Sequence, residues 1–142
     1  MSQNTENLLA RLTTHPDDVE AVDAVDLAWS SEGAWDLVAT ELPVLARKLS
    51  ASSDVARLLV RAAYISRHAM EDAEGANALL VEARAAVETP SEFADAARAS
   101  LQSSGDWNAV LVALMDAVEV LSDSPTQSRL LYEVGRVYEE QL

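Results

Sequence analysis

The sequence predicts an all-α fold of stacked antiparallel helix hairpins, and three observations predict it. Apolar residues recur with a period near 3.6 and nowhere alternate as a strand would require. The chain holds 25 alanines against one Phe, three Tyr and three Trp, so its core is built from small, helix-prone side chains that lose little entropy on becoming helical. A shift of 72 residues lays the segment from Gly33 over the segment from Gly105 and brings like residues together. With 142 residues there is enough chain for one domain with a core and too little for two ordinary ones, so residues 1–142 are read as a single domain.

Taken in order, a lead-in helix is expected around Asn4–Leu12, within residues 1–14. Val19, Val22, Val25, Leu27, Ala28 and Trp29 form the first stripe, which Gly33 ends. Trp35, Leu37, Val38, Leu42, Leu45 and Leu49 form the second, and Pro43 inside it should kink or split the helix. After a polar break at Ser50–Asp54, Val55, Leu58, Leu59, Ala62, Ala63, Ile65 and Ala69 carry a third helix, expected to run until Gly75. Leu79, Leu80, Ala83 and Val87 mark the fourth, and an alanine-rich fifth runs from Glu92 to Leu101. The sixth carries Trp107, Val110, Leu111, Leu114, Val118 and Leu121, and the seventh Leu130, Leu131, Val134, Val137 and Tyr138. Thr89-Pro90-Ser91-Glu92 and Ser124-Pro125-Thr126-Gln127 read as capping boxes with Pro in the first turn, and Thr14-His15-Pro16-Asp17 as a weaker version. Links of two to five residues between most helices force antiparallel neighbours.

The shift of 72 pairs Trp35 with Trp107, Val38 with Val110, Leu42 with Leu114, Leu49 with Leu121, Arg57 with Arg129, Leu58 with Leu130 and Leu59 with Leu131. That is twice 36, close to the ~34-residue unit of one class of helix-hairpin repeats. Gly75, between Gly33 and Gly105, is read as the mark of a middle repeat. On these residues the chain resembles the tetratricopeptide-repeat family. Gly105-Asp106-Trp107 opens a second helix with Ala117 as its small packing residue, Pro125 marks the turn, and Leu131, Val134, Gly135 and Tyr138 follow the first-helix pattern. The first repeat keeps Trp29, Gly33 and Trp35 but has Asp26 where the family usually has a small residue; the middle repeat keeps Gly75 and its flanking alanines. The resemblance covers Val19 to the end. It implies a right-handed α-solenoid of about three hairpins used as a docking surface for other proteins, with the last repeat incomplete at Leu142, either because a longer chain continues or because the last helix acts as a cap.

Composition narrows the functions. Ten basic residues against 24 acidic ones leave a net charge of −14, which makes nucleic acid a poor partner because phosphate binding runs on clustered Lys and Arg. Without cysteine there is no disulfide, thiolate catalysis or Cys-ligated zinc. Met1–Glu6 lacks the basic and apolar character of a signal peptide, and no apolar run approaches the ~20 residues of a membrane span, so a cytoplasmic protein is expected. Nine Arg beside one Lys, with the alanine excess, suggest a bacterial source of high GC content. His15 and His68 have no acid at metal-ligand spacing; no phosphate loop or nucleophile elbow occurs; the carboxylates Asp17-Asp18, Glu71-Asp72-Glu74 and Glu139-Glu140 fall at helix ends or on polar faces. Neither cofactor nor metal nor enzymatic activity is expected. Trp35 and Trp107 are expected to pack between the two helices of a hairpin rather than to cage a ligand.

The candidate binding residues lie on two helices. At about 100° per residue, Arg57, Arg61, Tyr64 and His68 fall within about 60° of one another, with Arg67 beside them. Arg129, Tyr132 and Arg136 repeat a similar arrangement. The family resemblance places such helices along a concave groove, where the planar guanidinium suits a carboxylate-bearing peptide. The competing and plainer reading is a solvated face whose arginines pair with acids of neighbouring helices. The expected function is a protein-interaction module that docks a peptide or helix of another protein. The alternatives are self-assembly through an open edge of the last helix, carrying Leu130, Leu131, Val134, Val137 and Leu142, or a small ligand-binding or enzymatic bundle with a closed polar cavity.

Overall fold

A computed structural model describes residues 2–142. Among them are nine helices and no strand: α1 (Gln3–Thr14), α2 (Val19–Ser31), α3 (Trp35–Thr40), α4 (Leu42–Ala46), α5 (Ser52–His68), α6 (Ala73–Ala86), α7 (Pro90–Gln102), α8 (Trp107–Val120) and α9 (Ser124–Gln141). No helix of the described residues is long and apolar enough to cross a membrane.

The helix starts explain where part of the acidity goes. Asp18, Asp72, Asp106 and Asp123 each accept a hydrogen bond from an amide in the first turn of the helix they precede, where four backbone donors lack partners and the helix dipole favours negative charge. Thr89 caps α7 through the amide of Glu92, as its capping box predicts. The second box is shifted by one residue: Asp123, not Ser124, is the cap of α9, and Ser124 is already helical. A carboxylate outcompetes the adjacent hydroxyl as acceptor of the Thr126 amide. Likewise Thr14 ends α1, and Asp18 starts α2.

Pro43 splits the second predicted helix into α3 and α4, since it has no amide to continue the ladder and is accommodated in the first turn of α4. Gly75 corrects the expected end of the third helix. α5 stops at His68, and the chain reverses through Glu71, whose φ of 55° lies in the left-handed region. Asp72 then donates its amide to the Ser66 carbonyl and caps α6 through the Gly75 amide. Gly75 therefore sits in the first turn of α6, and a Cβ there would collide with the Asp72 carboxylate. It is a packing glycine, not a repeat boundary.

α2 packs on α1, α3 and α4; α5 packs on α3, α4, α6 and α7; α7 packs on α8 and α9, and α8 on α9. One core runs through these layers, from Leu12 and Trp29 by way of Leu42, Leu58 and Phe93 to Leu114, Leu130 and Val137. The two segments related by 72 residues share their frame. α3 and α8 start at Trp35 and Trp107, α5 and α9 at Ser52 and Ser124, and Gly33 and Gly105 have φ of 71° and 72°. Val38, Val110, Leu42, Leu114, Leu58 and Leu130 are all fully buried. Leu59 is buried as well, whereas its counterpart Leu131 is half exposed. The tryptophans depart from expectation. Trp29 is the buried one; Trp35 stands 36 % exposed, and Trp107 is half-buried beneath the Arg98 guanidinium, 5.4 Å from its ring centroid. Both follow directly on the glycine turn as the first residue of a helix, where side chains reach the rim of a hairpin.

Candidate protein-docking groove

Four of the predicted residues, Arg57, Arg61, Tyr64 and His68, run down one side of α5 and line two adjoining recesses. The larger, about 620 Å³, has Arg57 and Arg61 as its floor. Asp23, Asp26, Leu27 and Ser30 of α2 form one wall, and Ala99, Ser100 and Leu101 of α7 with Ser103 and Ser104 form the other. The smaller, about 370 Å³, shares Arg61 and continues along Tyr64 and His68 to Trp35 and Asp106. Small residues along α7 leave the groove open, and Leu27, 69 % exposed, offers an apolar contact at its edge.

The polar groups of the groove hold one another. Arg57 donates to both oxygens of Asp23 at 3.0 and 3.2 Å and to Asp54 at 3.4 Å. Burial works against the charge on Arg57, and the Asp23 and Asp54 carboxylates overcome it, so its pKa lies above the usual value. Arg61 donates to Asp26 at 3.3 Å and to the Ser30 hydroxyl at 2.8 Å, while Ser30 donates to Asp26. The Tyr64 ring lies 4.7 Å from that of His68, and burial, with Asp106 and Asp116 nearby, raises the phenol pKa. His68 Nε2 meets Asp116 of α8 at 2.8 Å.

The other predicted residues are placed elsewhere. Arg67 turns to Asp116, 3.8 Å away, and to Asn77 of α6. On α9, the Arg129 guanidinium lies 4.9 Å from the Tyr132 ring centroid, and its buried Nε finds no hydrogen-bond acceptor. Arg136 donates to Glu140 and faces Glu133 at 3.7 Å. Ion pairing thus accounts for Arg57, Arg61, Arg67 and Arg136, the plainer of the two readings of these arginines. Sequence reasoning missed the acids that hold them and the α7 wall. The signal was present as spacing: Asp23 precedes Arg57 by 34 residues, Asp26 precedes Arg61 by 35, and Arg98 precedes Glu133 by 35. Among the described residues no group of three or more His, Asp or Glu is arranged to hold a metal ion.

Compared with protein-family models, with curated proteins and with solved structures, the chain has no significant match.

Proposed function

We propose that this chain is a non-catalytic protein-interaction module, a tetratricopeptide-like right-handed solenoid acting in the cytoplasm, whose groove between α2, α5 and α7 takes a peptide or helix of a partner. The observation that carries this reading is the continuity of the two recesses across Arg61, bounded by exposed Leu27 at one side and Trp35 at the other. The succession of α2, α5, α7 and α9, starting at Val19, Ser52, Pro90 and Ser124, supports the solenoid arrangement, because those starts are spaced close to the ~34-residue unit of a helix-hairpin repeat.

The electrostatics favour a different ligand from the carboxylate-bearing peptide that the arginine stripe suggests. Arg57 and Arg61 are matched by Asp23 and Asp26, and the adjoining recess of α5 and α7 adds Asp54, Glu92 and Asp95. An apolar anchor beside a basic residue fits such walls better than an acid does.

Peptide display against the full chain tests the proposal. Selected peptides are expected to carry an apolar anchor with Lys or Arg nearby and to lose at least about tenfold in affinity against Leu27→Glu or Ala99→Trp, as buried anchors do when displaced. The exposed control Glu88→Ser should bind them as wild type does. Peptides that bind all three variants alike, or a failure to select any, overturn the proposal.

A further inference from the structure

α5 supplies a template for a face that α9 leaves open. On α5, Leu59, Val60 and Ser66 are 0 %, 1 % and 4 % exposed. α6 covers this side: Leu80 meets Val60 and Ala63, and Leu79 lies by Ser66. Seventy-two residues on, the same positions of α9 are Leu131, Tyr132 and Tyr138, which are 49 %, 57 % and 59 % exposed. Gly135, at the place of Ala63, has open space where a Cβ would stand.

Charge says what kind of helix covers it. Arg47, just past α4, grips Glu82 of α6 through two hydrogen bonds of 2.7 and 2.9 Å. The counterpart of Arg47 is Glu119, exposed on α8. A helix lying on α9 as α6 lies on α5 therefore needs a basic residue where α6 has Glu82. The chain contains such a helix. α6 reads Leu79-Leu80-Val81-Glu82-Ala83, and α1 reads Leu8-Leu9-Ala10-Arg11-Leu12, with the same spacing and the opposite charge. Leu8 and Leu9 are only partly buried, and the Arg11 side chain is 61 % exposed, held at its tip by Asp18.

We propose that α1 of a second copy of this chain docks on the α8–α9 edge, with Leu8 and Leu9 against Leu131 and Tyr138 and Arg11 against Glu119. The contact is head-to-tail, since each copy gives α1 at one end and receives α1 at the other; such contacts build open chains or closed rings rather than two-fold dimers. The edge is separate from the groove between α2, α5 and α7, so the two proposals stand or fall independently.

Sedimentation velocity of the full chain across a wide concentration range tests it. The wild-type mass is expected to rise with concentration above the 15.3 kDa of one copy. Arg11→Glu and Glu119→Arg, both at exposed positions, should each weaken association by about tenfold or more. An equimolar mixture of the two variants should associate as wild type does, because alternating copies restore an opposite-charge pair at every contact. Leu131→Asp should abolish association with the helical circular dichroism unchanged. A wild type that stays at one-copy mass, association that either charge variant keeps, or a mixture no better than its components overturns the proposal.

Discussion

Asp26 and Arg98 stand 72 residues apart at matching places on α2 and α7, and they carry opposite charges into equivalent ion pairs. Asp26 meets Arg61 of α5 at 3.3 Å, and Arg98 meets Glu133 of α9 at 2.7 Å. Arg61 and Glu133 are themselves 72 residues apart, so the pair is kept and its polarity exchanged.

The two pairs should differ in what their loss costs. Glu133 is 1 % exposed, and Arg98→Ala strands its carboxylate, with Arg136 at 3.7 Å as the remaining counter-charge. That should cost about 3–5 kcal/mol in urea unfolding, the usual penalty for breaking a buried pair. Asp26→Ala leaves Arg61 its hydrogen bond to Ser30 and some access to water. A loss of about 1.5–3 kcal/mol is expected there, the range for a hydrogen bond to a charged group. The exchange Arg98→Glu with Glu133→Arg should recover most of the Arg98→Ala loss.

The glycines make a second comparison. Gly33→Ala and Gly105→Ala should each destabilise by about 1–2 kcal/mol, because both positions are left-handed and the added Cβ meets nothing within 4 Å. The two losses should agree closely, since only backbone strain is involved. Gly135→Ala should do the reverse. It lies inside α9 with open space at Cβ, and replacing a helical Gly by Ala gains about 0.5–1 kcal/mol. Thermal unfolding of dilute protein reads all three.

Acid should erase the contribution of Asp123. Its pKa is lowered, first by the hydroxyl hydrogen bond from Thr126 and then by the amide bond from the same residue, against a small desolvation. A carboxyl whose folded pKa is depressed contributes fully above its unfolded pKa of about 3.9 and loses that contribution as pH falls through the folded value. At pH 7, Asp123→Ala should therefore cost about 1 kcal/mol, the typical worth of an N-cap. The gap in Tm between wild type and variant should close as the pH approaches about 2, below both pKa values.

Much of the helical layout could be read from apolar periodicity, because each helix buries one face and the breaks are marked by Gly, Pro and capping residues. The split at Pro43 followed from its missing amide. Gly75 misled because a glycine that makes room for a cap looks, in sequence, like a glycine that ends a helix. The actual turn is made by Glu71, a residue with no turn signature, held by the Asp72 amide on the Ser66 carbonyl. On α5, the arginine stripe was visible, but the balance of charge was not. Asp23 and Asp26 lie some 34 residues away, and only the packing of α2 beside α5 shows that they neutralise it. Leu131 and Tyr138 read as core by analogy with buried neighbours. Their exposure depends on what lies over α9, which periodicity along one helix does not encode.

The exchanged polarity of the two ion pairs also bears on how a tandem chain avoids folding against itself. Segments that share a frame compete for each other's places during collapse, and wrong docking of look-alike units is a characteristic failure of repeat proteins. Were α2 to settle in the place of α7 against α9, Asp26 would meet Glu133, two carboxylates in a site that excludes water. Were α7 to take the place of α2 against α5, Arg98 would meet Arg61. Each misplacement sets like charges together, so the two halves are alike enough to share an architecture and different enough to refuse exchange.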